Sequence, residues 1–287
     1  MDRRAIIHCT KILSSNALPP IEHWRVCKDG KVADTYDKLT KVFQATESDF
    51  FGAFYNDEKI VHEYYKKWMK LISKRQYPDD LEFSNVYLAY ALHDRIPANS
   101  IIQFSILNSL RAWSLFPLNE TVKCYSNVSA FGIDGGLSTL IGHSVATDEL
   151  CFMIIGDLAF YYDMNAIGIR HIRNNLRILL VNNNGGVEFK MGRGDNKAID
   201  CYVAAANHFK NARGWSETCG FKYMEVRTKR EFENQMNQFL EKSEQPVVME
   251  VFVTDVDEFS AYEKVIRANR GMAVTDYIKK GIRHIIG

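Results

Sequence analysis

Two uninterrupted hydrophobic runs constrain the fold of this chain more than any other feature. "CFMIIG" (151–156) contains no charged residue, and "RILLVN" (177–182) contains one, at its start. A strand that is buried on one face alternates apolar and polar residues, whereas a strand buried on both faces is apolar throughout. The two runs therefore predict strands inside a parallel sheet that has helices packed on both faces.

Shorter apolar runs alternate with helix-like segments and extend the same pattern. We predict further strands in "SIIQFSI", "TVKCYS", "KYMEV" and "PVVMEVFV". We predict helices in "FSNVYLAYALHDRI", with Ser84 as its N-cap, and in "GLSTLIGHSVA", "DMNAIGIRHIRNN" and "EFENQMNQFLEK". Alternating strands and helices indicate an α/β fold, a doubly wound parallel sheet, over residues 81–287.

The first 80 residues do not continue this alternation. A helix is expected over residues 3–13, a strand in "HWRVC", and helices in "YDKLTKVFQ" and "DEKIVHEYYKKWMKLISKR". The turn-forming run Tyr77-Pro78-Asp79-Asp80 follows. One strand and one helix cannot bury a core of their own. We interpret residues 1–80 as the remnant of a preceding central domain followed by a helical connector.

Composition excludes several classes of function. Thirty-six Lys and Arg residues nearly balance thirty-five Asp and Glu residues, so the formal net charge is +1 and supports no binding to nucleic acid or an anionic membrane. The six cysteines form no CxxC pair, which argues against a thiolate zinc site and suits a reducing compartment. No signal peptide and no apolar run of about twenty residues is visible. We expect a soluble cytoplasmic protein.

Polar residues follow both central runs where each strand would end. Asp157 directly follows Gly156 of the first run, and Asn183 and Gly185 follow the second. A buried carboxylate is costly unless it is paired or bound to a metal. One carboxylate, one amide oxygen and the Gly185 carbonyl would form an oxygen site suited to Mg²⁺ or Ca²⁺. The backbone amides of a helix starting at Asp157 would favour an anion, so metal and helix together indicate a diphosphate.

Each of these motifs alone is more often a turn or a helix cap. Their combination, one strand–helix–strand crossover apart and each after a buried strand, favours the binding site over two unrelated turns. We also considered a nicotinamide- or flavin-binding domain, but no GxGxxG follows the first strand.

The same motifs resemble the fingerprint of thiamine-diphosphate (ThDP) enzymes. "SNVSAFGIDGGLSTLIG", "IIGDLAFYYDMNAIG" and "VNNNGG" resemble the C-terminal cofactor domain of the 2-succinyl-5-enolpyruvyl-6-hydroxy-3-cyclohexene-1-carboxylate synthase family, which acts in menaquinone biosynthesis. "HWRV" and "ILNSLRAW" match the family in the same order, so the resemblance covers nearly the whole chain. It implies ThDP and Mg²⁺ as cofactors and a 2-oxo acid as substrate, with decarboxylation, C–C bond formation or both as the reaction.

The resemblance assigns roles to individual residues. Asp157 and Asn183 would bind Mg²⁺ through their side chains and Gly185 through its carbonyl. Further residues would lie at the diphosphate or shape the cofactor: Asn108, Ser109, Gly156, Leu158 and Ala159 at the diphosphate, and Ile133 as the wedge that bends the cofactor. Two alternatives stay open on sequence alone, since Ser109 is also a reasonable N-cap and Ile133 is also an ordinary core residue.

Several positions depart from the family pattern. Val128 and Trp113 stand where the family has arginines, which would grip substrate carboxylates in bidentate pairs. Arg111 could substitute for the second arginine only if the helix turned. Glu188 replaces an apolar residue, and Ala159 replaces a common serine. These changes predict a related enzyme with a different 2-oxo acid or acceptor, one that carries fewer carboxylates.

The family activates its cofactor with a glutamate from a separate pyrimidine-binding domain, contributed by the partner subunit of a homodimer. No glutamate of this chain takes that role, so we leave the catalytic residues unassigned and expect the chain to be inactive alone. Either it is part of a longer chain or a separate subunit supplies the other half. The alternative is a non-catalytic remnant of the fold, kept for assembly or regulation. The segment 192–197 is either a flap over the cofactor or a surface loop. The basic tail, residues 260–287, is expected to pack on a partner or on the missing domain.

Overall fold

A computed structural model describes residues 22–55, 63–128, 132–190 and 207–269. The expected helix over 3–13, the segment 192–197 and the tail beyond 269 lie outside these residues. The described chain divides into two compact units. One comprises the residues up to Tyr77 and from Arg267 onward, and the other extends from Pro78 to Ile266.

The first unit contains two parallel strands, β1 (His23–Cys27) and β2 (Leu39–Gln44), followed by helices α1 (Glu47–Phe54) and α2 (Glu63–Ile72). The strand predicted in "HWRVC" is confirmed. The helix predicted in "YDKLTKVFQ" is wrong, because this segment forms β2, and the region is therefore not helical throughout. The run "LTKVFQ" is rich in residues that favour strands, and Phe43 packs its ring 5.3 Å from that of Trp24 on β1.

The second unit is built on a six-stranded sheet. Its strands are β3 (Ile101–Phe104), β4 (Lys123–Ser126), β5 (Cys151–Gly156), β6 (Leu176–Asn182), β7 (Lys222–Val226) and β8 (Val247–Phe252). The order across the sheet is β4-β3-β5-β6-β8-β7, and every neighbouring pair is parallel. The predicted α/β class is confirmed, and each of the six strands was expected from the sequence.

Helices connect these strands and cover the sheet. Their bounds are α3 (Asn85–Leu92), α4 (Asn108–Trp113), α5 (Gly136–Val145), α6 (Asp157–Tyr162), α7 (Val187–Lys190), α8 (Arg213–Thr218), α9 (Lys229–Leu240) and α10 (Asp255–Ala268), with a 3₁₀ helix over Met164–Gly168. The predicted N-cap at Ser84 is confirmed, since its hydroxyl accepts a hydrogen bond from the backbone N–H of Tyr87. Among the described residues, no helix is long and apolar enough to cross a membrane.

A second predicted helix, in the six-stranded unit, is also wrong. "DMNAIGIRHIRNN" does not form a continuous helix, because α6 begins earlier, at Asp157, and ends before Asp163. The Asp163 carboxylate accepts hydrogen bonds from both the backbone N–H and the hydroxyl of Ser138. This tie to α5 holds Asp163 in a non-helical conformation, and only the short 3₁₀ helix follows.

The two central strands are buried as predicted. All seven residues of β6 are buried, as are the first five of β5. Met153 and Ile178 belong to a core cluster with Leu137 of α5, while Phe152 packs its ring 5.9 Å from that of Phe239 on α9. The sheet therefore has helices packed on both faces, as continuous apolar strands require.

The connections create a reversal in the direction of winding. The chain passes from β3 outward to β4 and then returns to β5 on the opposite side of β3. In open α/β sheets, ligands bind beyond the carboxyl ends of the strands at such a reversal. A ligand site is therefore expected at the segments that follow β3, β5 and β6.

Candidate functional site

The polar residues predicted to converge do follow adjacent strands. β5 and β6 are direct neighbours, and Gly156 pairs with Val181 at their carboxyl ends. Asp157 therefore leaves the sheet beside the asparagine run 182–184. Convergence of Asp157 and Asn183 requires this adjacency of β5 and β6.

Asp157 is 2% exposed, and its carboxylate has three N–H partners. Oδ1 accepts a hydrogen bond from the backbone N–H of Leu158 at 2.7 Å. Oδ2 accepts one from the backbone N–H of Gly185 at 3.0 Å and lies 3.0 Å from Nε2 of His208. The structure thus brings Asp157 and Gly185 into direct contact, and it adds a histidine.

His208 is a site residue that sequence reasoning missed. Its Nδ1 accepts a hydrogen bond from the backbone N–H of Lys210 at 2.9 Å. A neutral imidazole that accepts at Nδ1 carries its hydrogen on Nε2, so His208 donates to Asp157. A lone histidine in "AANHFKNAR", far along the chain from Asp157, gives no local sign of this role.

The three consecutive asparagines have different surroundings. Asn182 is fully buried and donates to Oε1 of Glu250 at 2.7 Å, so its side chain is structural. Asn184 has a positive φ of 62°, and its N–H donates to Oδ1 of Asn182, which forms the turn. Asn183 is left as the residue that presents a side chain at the strand end, and its Oδ1 is buried with no hydrogen-bond partner among the described residues.

Glu258, on α10, is a second residue that sequence reasoning missed. It is 2% exposed and accepts hydrogen bonds from the side chain of Asn108 and the backbone N–H of Asn85, both at 3.3 Å. Burial raises the pKa of Glu258 to about 7, although these hydrogen bonds act in the opposite direction.

Asn108 and Ser109 lie at the start of α4, after β3. The alternative that Ser109 is the N-cap is wrong, because the helix begins at Asn108 and Leu107 takes the cap position with φ 67°. Such a φ is strained for leucine and is usually retained for a functional or packing reason. Ser109 is 2% exposed, and its hydroxyl oxygen lies 3.5 Å from Nδ2 of Asn85.

Gly156, Leu158 and Ala159 lie at the start of α6. Gly156 is the N-cap residue and supplies no side-chain hydrogen bond to the helix. The Leu158 N–H, which the resemblance assigns to phosphate, donates to Asp157 in this structure. Ala159 is buried.

Ile133 precedes α5 and packs against the core cluster. Gly135, the N-cap residue of α5, has φ 75°, a conformation that favours glycine. A Cβ at Gly132 would lie 2.3 Å from Oδ1 of Asp134. Only Gly135 has a backbone conformation that requires glycine, since the Asp134 side chain could move away from a Cβ at Gly132.

Arg111, the possible substitute for the arginine missing at Trp113, contacts Glu188, one of the departures from the family pattern. Arg111 of α4 and Glu188 of α7 form an ion pair with a distance of 2.6 Å between Nη1 and Oε2, and their side chains are 5% and 19% exposed. The guanidinium of Arg111 is therefore engaged by a carboxylate of the chain itself. Trp113 is buried with its ring 5.8 Å from that of Phe104.

The donor set fits a hard metal ion better than a soft one. In the described ranges, no three His, Cys, Asp or Glu side chains cluster in a way that could hold a metal. An ion at this edge would need amide and carbonyl oxygens beside a single carboxylate, a set that suits Mg²⁺. The buried Oδ1 of Asn183 is such an oxygen. The Gly185 carbonyl accepts a hydrogen bond from Val187 at 3.1 Å and keeps a second lone pair.

A doubly wound parallel sheet with Asp157, Asn183 and Gly185 at adjoining strand ends defines an α/β protein whose candidate site lies at the carboxyl edge of its sheet. No family model matches the chain. Similar curated proteins are 2-succinyl-5-enolpyruvyl-6-hydroxy-3-cyclohexene-1-carboxylate synthases. The chain is 37% identical to that of Phocaeicola vulgatus over 239 residues, which is 82% of this chain and 42% of the synthase.

Two further relatives with the same name give similar values. Identity is 35% over 240 residues for Bacteroides fragilis and 35% over 244 residues for Bacteroides thetaiotaomicron, each covering 82% of this chain and 43% of the synthase. The resemblance predicted from the motifs is confirmed. The chain spans less than half the length of these curated relatives.

Proposed function

We propose that this chain is the Mg²⁺- and ThDP-binding half of a thiamine-dependent enzyme that acts on a 2-oxo acid by decarboxylation, C–C bond formation or both. The buried Asn183 Oδ1 carries the proposal, because an unpartnered amide oxygen is costly unless a ligand satisfies it. The similarity to the synthases supplies the identity of the cofactor.

Asp157, Asn183 and Gly185 hold the metal in this proposal. The contacts from Leu158, Gly185 and His208 fix both oxygens of the Asp157 carboxylate. A carboxylate held in this way loses little freedom when it coordinates an ion, which is the general role of partners behind metal ligands.

The diphosphate lies between α4 and α6 in this proposal. Asn108 and Ser109 approach it from one side, and the backbone N–H groups of Leu158 and Ala159 from the other, after Gly156. The Leu158 N–H, which donates to Asp157 in this structure, would be the group that the resemblance assigns to the phosphate. Ile133 shapes the cofactor, and the bound cofactor supplies the electron sink for cleaving the bond between the carbonyl and carboxyl carbons of the 2-oxo acid.

The remaining parts of the enzyme are also proposals. A pyrimidine-binding domain or subunit provides the activating glutamate, and the site is completed in a homodimer. Residues 81–287 form the diphosphate-binding domain, and residues 1–80 are the remnant and connector. A reducing, cytoplasmic location is also part of this proposal, because the six cysteines of the sequence form no CxxC pair.

The substrate carries fewer carboxylates than that of the synthases in this proposal. Arg111, two residues before the position where the family has its second arginine, is engaged by Glu188. Trp113 and Val128 offer no charge. A substrate with several carboxylates would have to break a buried ion pair to reach Arg111.

A second candidate is a non-catalytic remnant of the ThDP fold that serves assembly or regulation. Ala159, Val128 and Trp113 favour it, because each removes a polar contact that the family uses. Asp157 and Asn183 oppose it, since a remnant would have no need to keep an unpartnered amide oxygen next to a buried carboxylate.

Calorimetric titration of the purified chain with ThDP in the presence of Mg²⁺, and again with EDTA, tests the proposal. We expect metal-dependent binding that is lost in Asp157→Ala and kept in Asp148→Ala, which removes an almost fully exposed carboxylate. Binding that occurs only after a pyrimidine-binding domain is added would place the complete site across an interface. If ThDP binds neither to the chain alone nor to the chain with the added domain, the proposal of an enzyme is overturned and the non-catalytic remnant is the function that is left.

A further inference from the structure

Glu250 lies within β8, and its carboxylate is completely buried. Oε1 accepts a hydrogen bond from Nδ2 of Asn182 at 2.7 Å. Oε2 accepts one from the backbone N–H of Ala212 at 2.8 Å and one from the hydroxyl of Tyr223 at 2.5 Å. The carboxylate therefore joins β8 to the end of β6, to β7 and to the segment that precedes α8.

The contact with Glu250 fixes the two ends of the Asn182 amide. A carboxylate accepts hydrogen bonds, so it faces the donating nitrogen of an asparagine. The same Nδ2 donates to the carbonyl of Lys210 at 2.8 Å. Oδ1 of Asn182 is thereby turned toward the backbone N–H of Asn184, which donates to it at 3.1 Å. This bond closes the turn in which Asn184 has its positive φ.

Two donors to the Asp157 carboxylate lie on the two segments that Asn182 holds. Gly185 directly follows the turn, and its N–H donates to Oδ2 of Asp157 at 3.0 Å. His208 lies two residues before Lys210, and its Nε2 is 3.0 Å from the same oxygen. Asn182 binds the first segment through Oδ1 and the second through Nδ2. The orientation of one buried amide thus places both partners of this oxygen.

We propose that Glu250 is a positioning residue of the metal site, which fixes the Asn182 amide and through it the turn that presents the Asn183 and Gly185 oxygens to the metal. The inference rests on the proposed function. Neither Glu250 nor Asn182 is a ligand, so the effect of Glu250 reaches the metal through the turn and the His208 segment. Residues that orient metal ligands typically contribute a factor of about 10 to 100 to metal affinity.

Glu250→Gln is the first test, because it keeps the size of the side chain and replaces an acceptor by a donor. In one orientation, the introduced nitrogen opposes Nδ2 of Asn182, and in the other it opposes the N–H of Ala212. Either orientation releases one of the segments that hold Asp157. We expect Mn²⁺, used in place of Mg²⁺, to bind about 10- to 100-fold more weakly in the presence of ThDP. The measurement is the electron paramagnetic resonance signal of free Mn²⁺.

Asn182→Asp separates positioning from a general loss of stability. Alone, it places a second carboxylate against Glu250 and should weaken Mn²⁺ binding. Combined with Glu250→Gln, it reverses the pair, because the introduced amide nitrogen donates to the introduced carboxylate. The second oxygen of that carboxylate still accepts the Asn184 N–H, so we expect the double variant to recover most of the affinity. Independent effects of the two substitutions would add instead.

Tyr223→Phe is the matched control, since it removes a hydrogen bond to the same carboxylate without touching Asn182. We expect its Mn²⁺ affinity to equal that of the unmodified chain. Hydrogen exchange of the Asn184 and Gly185 backbone amides, followed by nuclear magnetic resonance in the metal-free chain, reports the turn itself. Both amides should lose protection in Glu250→Gln and regain it in the double variant. Thermal unfolding of every variant verifies that the fold is retained.

Three results would each overturn the inference alone. These are equal Mn²⁺ affinity of the unmodified chain and Glu250→Gln, an equal loss in Tyr223→Phe, and a double variant that binds no better than Glu250→Gln. Unchanged amide protection in Glu250→Gln would overturn it as well. Failure of the unmodified chain to bind Mn²⁺ with ThDP, both alone and with a pyrimidine-binding domain added, would overturn the proposed function and this inference with it.

Discussion

At the scale of single residues, the candidate site depends on side chains that hold other side chains. Asp157 would be a buried carboxylate without compensation if Leu158, Gly185 and His208 did not donate to it. His208 is in turn held by the Lys210 N–H. The proposed metal ligand is therefore oriented before any metal arrives.

His208→Ala tests this orientation. The variant leaves Asp157 Oδ2 with only the Gly185 N–H of its two donors, so we expect metal-dependent ThDP binding to weaken about 10-fold. His208→Gln places an N–H donor near the former Nε2 position and should recover part of the loss. His171→Ala, at an exposed histidine, should bind like the unmodified chain in the same calorimetric titration. Full affinity in His208→Ala would show that Asp157 needs no help from the histidine.

The raised pKa of Glu258 predicts that the stability of the metal-free chain depends on pH. Its pKa is about 7 in the folded chain and 4.5 in the reference state, so between these values the folded state binds the proton and the unfolded state does not. Stability therefore falls as the pH rises from 4.5 through 7, by up to about 3 kcal/mol. Glu258→Gln removes this loss. Urea unfolding in EDTA at pH 5 and pH 8 measures the free energy of unfolding of Glu258→Gln and of the unmodified chain. We expect the variant to gain stability relative to the unmodified chain only at pH 8. The same difference in stability at both pH values would contradict the prediction.

At the scale of helices and strands, the sequence predicted what periodicity reports and missed what tertiary contacts decide. The runs "CFMIIG" and "RILLVN" are β5 and β6, because continuous apolar runs suit strands buried on both faces. "YDKLTKVFQ" was predicted as a helix, but pairing with β1 makes part of it a strand. α6 ends at Asp163 because of a bond to Ser138 that no local pattern shows.

The candidate site, like the secondary structure, could be predicted only in part from the sequence. Asp157, Asn183 and Gly185 could be found because strand ends mark the place where ligands bind. His208 and Glu258 reach the site from segments without a motif, so only the fold brings them there. The contact between Arg111 and Glu188 was equally invisible, although both residues stood out separately.

The Arg111–Glu188 pair links α4 to α7 and predicts a difference between single and double variants. Glu188→Ala leaves the guanidinium of Arg111 buried without this carboxylate, and we expect a loss of about 3 kcal/mol in the free energy of unfolding. Arg111→Met combined with Glu188→Leu replaces both charges by apolar groups and should cost much less. Glu217→Ala, in an exposed pair with Arg213, should change stability by less than about 1 kcal/mol. Urea unfolding measures the stability of all three variants. If Glu188→Ala is at least as stable as the double variant, the expectation is contradicted.

At the scale of the whole molecule, the residues of the candidate site lie in segments that follow four different strands. Asn108 follows β3, Asp157 follows β5, Asn183 follows β6 and Glu258 follows β8. β3, β5, β6 and β8 are consecutive neighbours in the sheet. A ligand that contacts all of these segments binds only when the sheet is assembled, so it must stabilise the folded chain as a whole.

This linkage gives the last prediction. A ligand that binds only the folded state adds RT ln(1 + [L]/Kd) to the free energy of unfolding, about 2.7 kcal/mol at a hundredfold excess over Kd. We expect ThDP with Mg²⁺ to raise the thermal midpoint of the chain and EDTA to abolish the rise. Asp157→Ala should show no rise, while Asp148→Ala should show the full one. A rise that persists in EDTA or in Asp157→Ala would mean that ThDP binds away from the strand ends, because the metal ligand at β5 would then be irrelevant to its binding.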